Sequence, residues 1–215
     1  MAKRILNMTA EEMTHATKSE LIEAIAGSEG RVLASETIGI TIPLLTDVTN
    51  AEFAASMGAD LILLNMFDVQ EPKIMALPEV EKEETVREVK RLTGRMVGIN
   101  LEPVEESYAS DNKETLWEMS AGRYATVENA IQAQKMGVDL IVLTGNPGNG
   151  VSNPAIISSL KAISEAVGEK IMLAAGKMHA SGIIGEGGEN IITKEDIRQF
   201  AEAGAGIILL PAPGT

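Results

Sequence analysis

Lys177 and His179 stand two residues apart at the end of the run KIMLAAGKMHASG, residues 170–182. The run is apolar from Ile171 to Ala175 and turns polar after Gly176. A strand that is apolar along its length and polar only past its C-terminal end is the pattern of a parallel α/β sheet that carries chemistry at that end. A lysine there can form a Schiff base with a carbonyl or serve as a fixed cation for an anionic substrate. The plain alternative is an ion pair with Glu36 or Glu102. His179 suits a general acid/base, and equally a surface histidine on a loop.

Side chains alternate faces along a strand. With Lys177 and His179 facing inward, the matching positions on other strands are Glu36, then Asn65 with Asp68 just beyond, then Asn100 and Glu102, then Thr144 and Asn146. The opposite-parity residues Leu33, Ile62, Leu64, Val97, Ile99, Ile141 and Leu143 are apolar and are expected to face helices. Glu36 and Glu102 could act as acid and base. Alternatively, Asp68 and Glu102, joined by Glu36, could hold a divalent cation such as Mg²⁺ through carboxylate oxygens. Asn65, Asn100 and Thr144 would orient a substrate. GNPGNG, residues 145–150, runs into a helix start, where backbone N–H groups and the helix dipole favour phosphate. That makes Gly145, Asn146, Gly148, Asn149 and Gly150 binding candidates, against the plain reading of a turn. No G-K-[ST] follows, so the loop is not a P-loop.

The elements that must position these residues alternate strand and helix. Strands are expected at about 31–37, 60–67, 96–103, 139–144, 170–176 and 206–210, with helices at about 50–57, 80–92, 127–136, 154–167 and 194–203. A further helix from Thr9 to about Ala26 opens on the capping box Thr9–Glu12. MGADLILLN (57–65) and MGVDLIVLT (136–144) match at most positions, and AGAGIILLP (203–211) is a looser third copy. Each is a helix end, a Gly C-cap and a buried strand. Short αβ turns with this alternation imply a parallel sheet with right-handed crossovers. No G-x-G-x-x-G follows the first strand, and polar residues end nearly every strand, so the (β/α)8 TIM-barrel type is favoured over a doubly wound sheet. Only about six βα units are visible where such a barrel has eight. The expectation is a single, incomplete barrel domain over 1–215, with 1–30 as a helical extension and the chain cut short at its C-terminal end.

Composition narrows the partners. A net charge of −13 argues against nucleic acid and anionic membranes, but not against a small anionic metabolite at a locally positive site. The absence of cysteine excludes disulfides, thiolate metal sites and a Cys nucleophile. No apolar run approaches the roughly 20 residues of a membrane span, and the start lacks the apolar stretch of a signal peptide. A cytoplasmic homo-oligomer is expected.

The pieces LASET (33–37), DVTNAEFAASMGADLILLNMFD (47–68), NLEP (100–103), LTGNPGNGV (143–151) and AAGKMHASGIIGEGG (174–188) resemble the phosphate-binding TIM-barrel enzymes. Within these they are similar to an uncharacterised bacterial family, loosely labelled phosphoenolpyruvate phosphonomutase-like or haloacid dehalogenase-like hydrolase. The resemblance covers nearly the whole chain and implies a barrel, a small anionic metabolite and a role in carbohydrate metabolism. It brings no established reaction. The chain has neither the D-x-D-x-[TV] run of the second label nor the Lys–Cys pair of the first.

Three functions follow. The first is a lyase or isomerase acting on a small phosphorylated or carboxylated sugar-derived metabolite. In it Lys177 captures or holds the carbonyl, and Glu36, Glu102 or His179 moves protons. The second is a Mg²⁺-dependent enzyme of the phosphonomutase or isocitrate-lyase type. The third is a non-enzymatic metabolite-binding protein.

Overall fold

The computed structural model describes residues 3–105, 119–145, 150–177 and 192–210. Six strands form one parallel sheet in the order β1 (Ala34–Ile38), β2 (Leu61–Asn65), β3 (Met96–Leu101), β4 (Leu140–Leu143), β5 (Met172–Gly176) and β6 (Ile207–Leu209). Strand order follows chain order without reversal. A doubly wound sheet reverses at a switch point, whereas barrel strands add sequentially, so this is the TIM-barrel-like arrangement. Helices α3 (Asn50–Ser56), α4 (Thr85–Thr93), α5 (Val127–Met136), α6 (Asn153–Val167) and α7 (Lys194–Glu202) make the crossovers. Contacts divide the chain into two compact units, Met1–Ile99 with Gln132–Leu140 and Asn100–Ile131 with Ile141–Thr215.

The first helix differs from expectation. Instead of one element from Thr9 to Ala26 there are two, α1 (Ala10–His15) and α2 (Lys18–Ala26). Thr17 is the reason. Its hydroxyl accepts from the Glu20 N–H while the Glu20 carboxylate accepts from the Thr17 N–H, a second capping box that starts a new helix while Ala16 stays extended. Helix α4 also begins later than expected. Residues Lys82–Glu84 form a 3-10 turn ahead of it. Gly94, at φ 63°, ends α4 in the left-handed conformation that glycine adopts without a Cβ penalty.

Parity along the strands is as expected. Glu36 pairs with Leu63 and Leu63 with Gly98, so these three share one face, and Asn65 lies on that face one step further along. On the other face Ile62, Leu64, Val97 and Ile99 are fully buried, as are Ile141 and Leu143 on β4. Leu33, assigned to the same class, is instead 56% exposed, just outside the edge strand β1. In α6, Ile156, Leu160, Ile163 and Val167 make one buried stripe at helical spacing. Full burial of each such side chain stabilises the fold by about 1.5–3 kcal/mol.

The repeated Asp of the two matching segments has a structural role. Asp60 and Asp139 each stand just before a strand. Each donates its own N–H to the preceding strand, to Leu33 O and Val97 O, and accepts that residue's N–H on its carboxylate, at 2.9 Å in both cases. In the looser copy Gly206 keeps only the backbone bond, to Leu173 O. Asp139 is also paired at 2.7 Å with Lys90 of α4. Burial pushes the Asp139 carboxyl up, against the pull of Lys90 and the Val97 N–H. Its folded pKa thus lies above its unfolded one, so stability declines as pH rises from the ordinary aspartate range through the raised value. Both side chains are only 12–13% exposed. Lys90→Met should therefore leave a buried, uncompensated carboxylate, lower stability by about 3 kcal/mol in urea unfolding and steepen the loss at neutral pH.

Candidate active site

The strand C-termini carry the polar set, and each unit holds part of it. In the first unit Asn65 is the last residue of β2, and its Nδ2 donates to Glu36 Oε1 of β1 at 2.6 Å. Its Oδ1 accepts the Met66 N–H at 2.8 Å, and Met66 turns sharply at φ 57°. The side chain of Asn65 is thus held across the β1–β2 step, beside an exposed Glu36. Asp68 takes another role. Its Oδ1 accepts the N–H groups of Gln70 and Glu71 at 2.7 and 2.9 Å and shapes the loop after β2.

In the second unit Lys177 follows β5 directly and is 2% exposed. Burial of so long a cation is rare. Gly176 places it, at φ 144°, with its backbone against Leu209 of β6. Asn100 (8% exposed) and Thr144 (5%) are buried polar residues at the ends of β3 and β4. Asp196 stands at the start of α7, in the capping box with Thr193. Burial pushes the Asp196 carboxyl up. The Thr193 N–H and hydroxyl, the Asn153 side chain and Lys177 together outweigh this and hold it below the ordinary aspartate range. Sequence reading missed this group, because a T-x-x-D capping box looks complete in itself.

Glu102 does not stand alone at the end of β3. Arg123 Nη2 donates to Glu102 Oε1, and the two side chains are only 13–16% exposed. The pairing is framed by the backbone. Glu102 N donates to Arg123 O at 2.9 Å, Ala125 N donates to Glu102 O at 3.0 Å, and Tyr124 bridges Glu102 in parallel. Asn129 of α5, 2% exposed, fastens the turn that carries Arg123 by donating Nδ2 to Ala121 O and Tyr124 O at 2.8 and 2.9 Å. Arg123 was missed by sequence reading because it sits 21 residues beyond Glu102, inside a polar connection without periodicity.

Gly145, after β4, lies against the same carboxylate. A Cβ there would sit 3.4 Å from Glu102 Oε2 and 2.6 Å from the Val151 side chain. Gly145→Ala must displace buried Val151 and is expected to cost about 1–3 kcal/mol, read as a lower denaturant midpoint. Ser152 caps α6, accepting from the Ala155 N–H at 3.2 Å, and its hydroxyl donates to Glu105 Oε1. The carbonyl of Gly150 accepts the Glu105 N–H at 3.1 Å. A carboxylate of the chain itself thus meets this helix cap. Asn146, Gly148, Asn149 and His179 lie outside the described residues.

Mg²⁺ does not fit the residues assigned to it. Among the described residues no three His, Cys, Asp or Glu side chains gather as a cation site. Asp68 Oδ1 is taken by two backbone N–H groups and Glu102 Oε1 by Arg123.

A sequential parallel sheet with buried polar residues at its C-terminal strand ends defines a TIM-barrel-like protein. The chain belongs to the family described as Domain of unknown function (DUF7916), which it matches over residues 6–215. No curated protein matches it. Solved structures resemble it at low identity. Phosphonopyruvate hydrolase in complex with oxalate and Mg²⁺ is 15% identical, with a TM-score of 0.51 over 93% of this chain and 65% of that one. 2,3-Dimethylmalate lyase, of the PEP mutase/isocitrate lyase superfamily, is 12% identical, at 0.51 over 92% and 61%. The carboxyl transferase domain of Rhizobium etli pyruvate carboxylase, with oxamate and biotin, is 15% identical, at 0.53 over 99% and 32%. The chain thus spans under two thirds of the length of each. These likenesses define the fold. Among the described residues no helix is long and apolar enough to cross a membrane.

Proposed function

We propose that the protein is a lyase or isomerase acting on a small carbonyl compound that carries an anionic group, with Lys177 as the residue that captures the carbonyl. The observation that carries this reading is the burial of Lys177 at a strand C-terminus, where only 2% of the residue is exposed. A desolvated amine is a strong nucleophile toward carbonyls. Nζ adds to the carbonyl carbon, the carbinolamine loses water, and a protonated imine remains. The carbonyl oxygen leaves in the water molecule. The imine then withdraws electrons from the neighbouring carbon, so a C–C or C–H bond there can break without a metal. On this reading Asn100 and Thr144, buried at the ends of β3 and β4, orient the substrate. The solved structures of similar fold that hold oxalate or oxamate support a site for small carboxylates in such proteins.

A thermal-shift screen of sugar phosphates and 2-oxo acids tests the reading on wild type and Lys177→Met. A member of either class should raise the wild-type melting temperature and leave the variant unmoved. A ligand that shifts both proteins equally contradicts a role for Lys177.

A further inference from the structure

Among the described residues β1 is an edge of the sheet, with β2 as its single neighbour. Residues of a parallel strand turn their N–H and C=O groups alternately to the two sides. Leu33 turns both toward β2, its N–H to the Asp60 carboxylate and its C=O to the N–H groups of Asp60 and Leu61. Ala34 and Glu36 therefore turn theirs outward, and both residues are exposed. Among the described residues no backbone hydrogen bond reaches them from outside the β1–β2 pair. An open row of this kind is a template for one more strand.

A groove of about 470 Å³ runs along this edge, within the first unit. Leu33, Ser35 and Thr37, on the face opposite Glu36, share it with Phe53, Ala54 and Met57 of the α3 side. Leu33 is 56% exposed and Met57 71%. Six of the ten exposed large apolar side chains among the described residues fall from Leu33 to Met57, so the exposed apolar surface is concentrated here. Such a concentration marks a contact surface. One polar atom of the lining residues is unsatisfied: Thr37 Oγ1 is buried without a hydrogen-bond partner among the described residues. Glu36, on the other face, accepts from Asn65 on Oε1 and is in no ion pair among the described residues.

Charge selects the occupant. An added strand sets alternate side chains on the two faces, so one set meets Leu33 and Met57 and the other meets the Glu36 carboxylate. A second copy of β1, laid antiparallel in full overlap, would put Glu36 against Glu36, and like charges directly opposite are unfavourable. The net charge of −13 adds to that repulsion. We propose that the β1 edge binds an extended segment of another polypeptide in which apolar residues alternate with lysine or arginine. The cation of the segment pairs with Glu36, its apolar side chains lie in the groove beside α3, and its main chain bonds to the open groups of Ala34 and Glu36. The proposal is independent of the Lys177 reading.

The probe is a peptide of alternating lysine and valine, blocked at both ends and as long as β1. Hydrogen exchange of the wild-type chain is followed with and without it. The Ala34 and Glu36 amides should slow at saturating peptide. By calorimetry, a glutamate–valine peptide of the same length should bind more weakly, and N-methylation of the lysine peptide's backbone should remove binding. Glu36→Gln keeps the acceptor for Asn65 and should weaken the lysine peptide about three- to fivefold, the size of a partly exposed ion pair. Met57→Lys, at an exposed position, carries the test if Glu36→Gln does not fold. It puts a like charge in the apolar wall and should weaken binding to a similar extent. Unchanged exchange at Ala34 and Glu36 overturns the proposal. So does equal binding of the N-methylated peptide, which is the mark of an acidic chain adsorbing cations. Protection of these two amides that rises with protein concentration in the free chain would put a second copy on the edge, and would overturn it as well.

Discussion

Lys177→Met is expected to abolish substrate capture while leaving the melting temperature at or above the wild-type value. The two effects have one cause. Lys177 is almost wholly buried, next to the apolar residues of β5. Keeping a cation there costs desolvation energy that a thioether of similar length does not incur. Asp196 keeps its bonds from Thr193 and Asn153. Lys177→Ala is the control. It should lower stability by about 3 kcal/mol, because the truncation leaves a cavity. Calorimetric unfolding of both variants checks the pair of expectations. A large loss of stability in Lys177→Met would mean that the lysine is a structural partner.

The second large effect is at Gly176. Its φ of 144° is a conformation that side-chain-bearing residues rarely adopt, and an added Cβ would stand 2.3 Å from Leu209 O and 3.0 Å from Leu209 Cβ. Gly176 and Leu209 are register partners, so the clash is with backbone that cannot swing away. Backbone strain of this kind costs about 1–3 kcal/mol, and the steric overlap adds to it. Gly176→Ala should therefore melt far below wild type, with β6 losing amide-exchange protection before the other strands. It should also misplace Lys177, the next residue. Unchanged thermal stability would show that β6 does not pack on Gly176.

Much of the fold could be read from the sequence because its cues are local. Gly58 and Gly137 end helices ahead of buried runs, and the strands at Leu61–Asn65 and Leu140–Leu143 fall inside the expected bounds. Helix α5 has its expected limits, the expected capping box at Thr9 forms, and Thr49 and Thr193 make boxes of the same kind. The split at Thr17 was missed since T-K-S-E inside a helical stretch reads as ordinary helix until the box is seen to close. Strand parity put Asn65 and Glu36 on one face, and the two are hydrogen-bonded. Long-range partners were not. Nothing local ties Arg123 to Glu102, because a return loop brings them together. The repeated Asp of the strand starts has no local cue to its partner. In the structure it bonds the preceding strand's backbone.

The central claim is that Lys177 captures a carbonyl. The most direct measurement is peptide mapping by mass spectrometry after sodium borohydride reduction in the presence of pyruvate. A single reduced adduct on Lys177, absent from Lys177→Met and from samples without borohydride, is the predicted result. Adducts spread over exposed lysines such as Lys3 and Lys82, with Lys177 unmodified, would contradict it.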